Sequence, residues 1–317
     1  MKIALIGPGI MPIPPTGWGA VEILVWDQNL ALKELGHEVQ IINTPKPIDI
    51  IQQINLFKPD FVHIQYDDFI EVYPYIQYPC AITSHYGYLE QPTKWGYYGD
   101  RIVKPFLNIK PRVFCLSEGI KNVYNDILKI PEDRLFVTPN GVNTKEFSVK
   151  DNPKYSHCSL YLAKIDYRKR QYMFQSIKSL YYAGNNADPR FDTSRNYLGE
   201  WSKEQLYKNL TEYGNLVLLS DGEAHPLVCM EALSAGLGVV VTEWGAANLD
   251  ATKDFITIIP ESKVSDIAYV QSQIINNRNY SVEHRQEIIE YSKQFDWENI
   301  VKNYYIPNIE KVILESK

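Results

Sequence analysis

The sequence predicts an α/β protein built as two halves, each a doubly wound parallel sheet. Two observations carry this. Short apolar, β-branched runs alternate with helix-length segments along nearly the whole chain, which is the pattern of parallel sheets covered by helices on both faces. The alternation also relaxes once, in a polar stretch from Asp151 to Ser156, and then restarts. At 317 residues the chain is long enough for two cores of ordinary size. We therefore expect a first domain over 1–150, a second over 151–295, and a terminal segment 296–317 whose helix crosses back to the first domain.

The first half opens with "KIALIG", read as a buried strand. Its start superficially resembles a signal peptide, but Gly7, Pro8 and Gly9 cut the apolar stretch short and no cleavage site follows. A helix is expected from about Ala20 to Leu35, closed by Gly36. Then come "EVQIIN", a helix, "FVHIQY", "CAITSH", "RVFCLS", a helix from Glu118 to Leu128, and "LFVTPNG". The second half runs "SLYLAKI", "KSLYYAG", "NLVLLS", "GVVVTEW" and "FITIIP", with the last helices expected from about Ser281. Two such halves joined by a short linker describe two facing Rossmann-like domains with a cleft between them.

Composition narrows the function classes. The hydrophobic fraction is 45% and the charged fraction 22%, as in a globular protein, and the net charge of −6 argues against general nucleic-acid binding. Four cysteines (Cys80, Cys115, Cys158, Cys229) show no paired spacing, so they read as buried thiols of a reducing compartment rather than a zinc site or disulfide frame. No apolar run approaches the length of a membrane span.

Open parallel sheets bind ligands outside the carboxyl ends of their strands. That rule selects Gly17 to Gly19, His85, Ser117, Asn140 with Gly141, Lys164 to Lys169, and Glu223. The loop "GPGIMPIPPTGWGA" invites a dinucleotide reading and fails it: Pro12 stands where the third glycine should be, and the second strand ends in Asn43 and Thr44, with no acid for a ribose. "LSEG" lacks the glycine of a nucleophile elbow, so Ser117 reads as a helix N-cap. His85 has no partner histidine at metal-ligand spacing, which leaves it structural or a hydrogen-bonding group for a hydroxyl.

"EAHPLVCME" carries the sharpest signal. Pro226 suits the first helical position, and the helix should run to Gly236 as its cap. Glu223 then precedes the helix, Glu231 lies inside it, and the amides of Leu227 and Val228 between them form an anion seat. Two exposed glutamates at this interval also arise by chance. "AKIDYRKRQ" is either a charged surface turn or a basic pair, Lys164 and Lys169, at a strand-to-helix junction where it would neutralise a diphosphate. No Asp-x-Asp motif occurs, so a metal-free site is the economical reading.

These residues resemble the retaining glycosyltransferases of the GT-B fold, family four, also called group one. The resemblance rests on Glu-x7-Glu followed by "EALSAG" and "LGVVVTEWG", the Gly-rich loop after strand one, "TSH", "PNGVN", "AKIDYRKR" and "NYLGEWSKEQLYKNL". It implies that Glu231 grips the donor ribose and that Glu223 lies near the donor sugar's hydroxyls, with the Leu227 and Val228 amides on the phosphates. Lys164 and Lys169 would hold the diphosphate, and Gly17, Trp18 and Gly19 the loop closing on it. His85 would stand beside the transferred sugar, Tyr197 and Leu198 near the nucleobase, and His225 and Pro226 at the donor.

The chain departs from the family pattern in several places. Ala163-Lys164 replaces a Gly-Arg pair, Arg170 replaces a glycine, His225-Pro226 replaces Phe-Gly, and Ala246 replaces the second glycine of a pair. The expected activity is a cytoplasmic, metal-independent hexosyltransferase that moves a glucose- or mannose-type hexose from a UDP- or GDP-sugar to a glycan or other hydroxyl acceptor. It uses no cofactor, and its membrane contact is at most peripheral. The alternatives are a nucleotide-sugar epimerase or phosphorylase on the same fold, or a non-catalytic nucleotide- or glycan-binding module. The tyrosines of "YDDFIEVYPY" and "YGYLEQPTKWGYYG" either stack on acceptor sugars or pack.

Overall fold

The computed structural model describes residues 1–15, 19–150 and 152–316. It divides into two compact units, Met1–Gly141 with Trp297–Lys317, and Val142–Asp296. The division thus falls at Gly141/Val142, ahead of the expected 150/151, and the terminal segment belongs to the first unit.

The first unit holds strands β1 (Lys2–Ile6), β2 (Glu38–Ile42), β3 (Phe61–Ile64), β4 (Cys80–Ile82), β5 (Val113–Cys115) and β6 (Leu135–Val137). All pair in parallel, in the order β2-β1-β3-β4-β5-β6. Helices α1 (Ala20–Glu34), α2 (Pro47–Phe57), α3 (Lys104–Ile109) and α4 (Glu118–Asn122) connect them. The second unit holds β7 (Tyr155–Leu162), β8 (Leu180–Ala183), β9 (Tyr213–Leu218), β10 (Gly238–Thr242) and β11 (Ile256–Ile259), parallel in the order β11-β10-β9-β7-β8. Its helices are α5 (Lys203–Asn209), α6 (Leu227–Ser234), α7 (Ile267–Glu283) and α8 (Arg285–Ser292). The chain then returns to the first unit with α9 (Trp297–Ile300) and α10 (Ile306–Glu315).

The strands form where the sequence is a continuous apolar run because helices cover both faces: every residue of β3, β9 and β10 is buried. Helix α1 ends on Gly36, whose φ of +83° is the left-handed turn that a glycine makes without steric cost. In the second unit, Gly184 has φ +146° and a Cβ there would meet the Ala163 carbonyl at 2.0 Å. Only glycine lets the chain after β8 pass so close to the loop after β7.

Three local expectations are corrected. Pro226 is the N-cap of α6, with extended ψ of 100°, and the helix starts at Leu227; Gly236 follows its end with φ +75°. The last helices start at Ile267, not Ser281, capped by Asp266 accepting from Tyr269 N at 3.0 Å. The segment after Lys164–Lys169 is a turn and a single 3₁₀ stretch, Gln171–Phe174, not a regular helix.

Candidate functional site

The order of the second sheet reverses between β7 and β9: β8 lies on one side, β10 and β11 on the other. The loops leaving the carboxyl ends of β7 and β9 therefore border its switch point, where open α/β sheets take ligands. The first loop carries Lys164 to Lys169 and the second carries Glu223.

The two loops are stitched together. Tyr161, buried in β7, donates its hydroxyl to the Lys169 carbonyl and accepts from Leu219 N at 2.8 Å. Asp221 N donates to the Arg168 carbonyl at 2.8 Å, and Arg168 Nη1 donates to the Gly222 carbonyl at 2.8 Å. Lys169 N donates to Asp166 Oδ1 at 2.9 Å, which closes the turn. On this frame Lys169 Nζ pairs with Glu223 Oε1, Ser220 Oγ donates to the same oxygen, and Arg168 Nη1 stands 3.6 Å from Oε2. Burial pushes the Glu223 carboxyl up, but Lys169 and Arg168 outweigh it, so its pKa lies below the ordinary value. Glu223 is an ionised carboxylate held between two cations.

Glu231 lies inside α6 and is buried, and its Oε1 pairs with Lys203 Nζ. Lys203 is the first residue of α5, whose start is fixed by a capping box: Gln205 N donates to Ser202 Oγ at 3.2 Å and Ser202 N to Gln205 Oε1 at 2.9 Å. At the start of α6, Leu227 and Val228 present first-turn amides that have no acceptor within the helix. His225 and Pro226 precede them, both buried.

Of the residues singled out by sequence, the structure joins Lys169 directly to Glu223. Lys164 is exposed, and its carbonyl accepts from Gln171 Nε2 at 3.0 Å. Tyr197 spends its hydroxyl on the Gly184 carbonyl at 2.9 Å, while Leu198 is exposed. Gly17 and Trp18 lie outside the described residues. Gly19 caps α1, and a Cβ on it would meet Glu22 Oε2 at 2.5 Å. Ser117 is an N-cap, accepting from Ile120 N at 3.2 Å.

In the first unit His85 follows β4, half-buried, with Nε2 3.2 Å from Gln65 Oε1. Burial brings its pKa down to about 4, so the ring is neutral near pH 7. Nearby, Asp67 accepts from Ser84 Oγ and from Tyr98 at 2.5 Å. The aromatic loops mostly pack: Tyr86 stacks on Tyr98 with centroids 3.7 Å apart, and Trp95 Nε1 donates to the Tyr88 and Leu89 carbonyls, each at 3.1 Å. Tyr75 and Tyr97 stay exposed.

Sequence reading gave no role to Arg168, although it lies within the Lys164–Lys169 stretch, and missed Lys203, Ser220 and Gln65. For Lys203 a signal existed, since Ser202-x-x-Gln205 marks a helix start and puts Lys203 at its first position. Among the described residues no three His, Cys, Asp or Glu side chains gather as metal ligands. No helix of the described residues is long and apolar enough to cross a membrane.

Comparisons with known proteins agree with this architecture. Residues 42–146 match the family model "Glycosyltransferase Family 4". The fold matches HepE of Anabaena, solved with UDP and glucose, at TM-score 0.73 and 12% identity over 98% of this chain and 99% of that one. It also matches sucrose-phosphate synthase of Thermosynechococcus elongatus at TM-score 0.74 and 14% identity, covering 100% of both chains. A third match is the lipopolysaccharide outer core galactosyltransferase WaaB, at TM-score 0.65 and 16% identity over 100% of both. No curated protein matches by sequence. The fold is GT-B, and the family-four resemblance is met by the family model over residues 42–146, which include "TSH" and "PNGVN".

Proposed function

We propose that the protein is a retaining, metal-independent hexosyltransferase that uses a UDP- or GDP-sugar and delivers the hexose to a hydroxyl of a glycan or related acceptor. The observation that carries this reading is the ionised Glu223–Lys169–Arg168 cluster at the switch point of the second sheet, beside the start of α6. Cations and a helix N-terminus suit a diphosphate, while buried carboxylates suit hydroxyls. A site offering both fits a sugar joined to a nucleotide. The HepE complex with UDP and glucose, and the synthase and galactosyltransferase folds, support the same ligand class.

The chemistry follows from charge. Breaking the anomeric bond leaves a nucleoside diphosphate, and fixed cations stabilise that anion as it forms; one such electrostatic donor is worth about 2.7–4 kcal/mol. Lys169 and Arg168 fill this role, and the Leu227 and Val228 amides add to it. Glu223 is already neutralised by two cations, which makes it a poor nucleophile. The acceptor hydroxyl then attacks the face the diphosphate leaves, and a departing phosphate oxygen takes its proton. Glu231 holds the ribose. The four buried free thiols fit a reducing compartment such as the cytoplasm.

The test is nucleotide release from a panel of UDP- and GDP-hexoses, with a chelator present and the product's anomeric configuration followed by NMR. Selective release with retained configuration is the expected result. Inverted product would remove the same-face mechanism, orthophosphate-dependent release would mark a phosphorylase, and binding without turnover under any acceptor would mark a binding module.

A further inference from the structure

The polar core of the first unit contains a directed chain of hydrogen bonds that ends on His85. It begins at a group that can only accept, the Phe114 carbonyl in β5. Thr83 Oγ donates to that carbonyl at 3.1 Å, which spends the hydroxyl's one proton. His63 Nε2 lies 2.8 Å from Thr83 Oγ and must therefore be the donor. Burial brings the His63 pKa down to about 3, so the ring is neutral and its other nitrogen, Nδ1, is an acceptor. Nδ1 faces Tyr305 Oη at 2.9 Å and Gln65 Nε2 at 3.2 Å.

This fixes the Gln65 amide. Its nitrogen faces two acceptors, His63 Nδ1 and Gln28 Oε1, the latter at 2.5 Å. Turned over, the amide would set its oxygen against the His63 lone pair. Its oxygen instead faces His85 Nε2 at 3.2 Å, and an amide oxygen has no proton to give. His85 Nε2 must carry the proton.

We infer that Gln65 is a positioning residue that locks His85 in its Nε2–H tautomer, so that the nitrogen offered to a ligand, Nδ1, accepts a hydrogen bond from a hydroxyl and disfavours an anionic oxygen. Among the described residues the hydrogen bond of the His85 ring is the one at Nε2, and the residue is only partly buried. The lowered pKa of the ring keeps it neutral, as this role requires. The hydroxyl preference rests on the transferase reading; the tautomer does not.

The experiment is ¹⁵N NMR of the histidine side chains in the full-length protein at pH 7. In the wild type His85 should show a protonated Nε2 and an unprotonated Nδ1. Gln65→Leu, which is similar in size and lacks the acceptor, should shift the ring to a mixture of tautomers. A wild-type His85 protonated on Nδ1, or a Gln65→Leu spectrum identical to wild type, overturns the inference, and the wild-type spectrum decides alone if the variant does not fold. The hydroxyl preference is read by adding the UDP- or GDP-hexose that the release assay selects, against its nucleotide alone. The hexose conjugate should move the Nδ1 resonance and the nucleotide should not; equal shifts, or none with binding detected, overturn it. If no donor binds, the transferase reading fails while the tautomer result still stands on its own.

Discussion

Lys169 Nζ and the Glu223 carboxylate form an ion pair across the switch point of the second sheet, with side-chain exposures of only 11% and 9%. At this depth the pair's net worth is small, but breaking it strands a charge, which typically costs about 3–5 kcal/mol. Lys169→Ala should therefore destabilise the protein by about 3 kcal/mol in urea unfolding, Arg168 and Ser220 softening the loss. Lys169→Met combined with Glu223→Gln should recover most of that stability while donor turnover stays at least about 100-fold down. Recovery of both together would remove Lys169 from the chemistry.

Arg170 occupies a left-handed conformation, φ +59°, where the family pattern has glycine, and its guanidinium holds Asp221 at 2.5 Å and Glu261 at 2.6 Å. Both Arg170→Ala and Arg170→Gly lose those bonds, but only alanine keeps the backbone strain. Arg170→Gly should be the more stable of the two by about 1 kcal/mol; equal stability would mean that the turn carries no such strain.

Two glycines separate steric from conformational cost. Gly199 has φ +79° and open space within 4 Å of where a Cβ would stand, whereas at Gly184 that atom would meet the Ala163 carbonyl. Gly199→Ala should cost about 1 kcal/mol. Gly184→Ala should cost about 3 kcal/mol or more, because backbone has to move. Denaturant midpoints of the two variants check the ranking.

Acid should loosen the first unit. His63 and His85 have folded pKa values of about 3 and about 4, below the ordinary histidine value of 6.5. As pH falls below 6.5 the unfolded chain takes up protons that the folded core refuses, so stability drops through this window and levels off below pH 3–4. Asp67 and Glu90, raised by burial, work in the opposite direction, while His37, lowered by burial, works with His63 and His85. Hydrogen-exchange protection of β3 and β4 should fall by an amount on the order of 2 kcal/mol between pH 6.5 and pH 5. Constant or rising protection would contradict the neutral-core account.

Among the described residues each strand overlaps an apolar run read from the sequence, most clearly β3, β9 and β10, which are buried throughout; β2 keeps only Ile42 buried, and the first half of β7 is polar and partly exposed, so its start at Tyr155 is not legible. Helix α7 is not legible before Ser281, for a physical reason. Its buried face includes Asn277, Arg278 and Ser281, which break the apolar period. Asn277 Nδ2 donates to the Val239 and Phe255 carbonyls, and Arg278 reaches Ser159 and Ser179, so these polar groups pack as core. Glu223 and Glu231 stand out through their spacing around Pro226. Their partners do not, since Lys169 and Lys203 are 54 and 28 positions away and only the folded sheet brings them near.

The most direct test of the account is a calorimetric titration of UDP and GDP into wild type and Glu231→Ala, in chelator. The account predicts that one nucleotide binds wild type without metal and that Glu231→Ala weakens it by about 10–100-fold, or ~1.4–2.8 kcal/mol. Wild type that binds neither nucleotide, or a Glu231→Ala variant that binds as tightly as wild type, would contradict it.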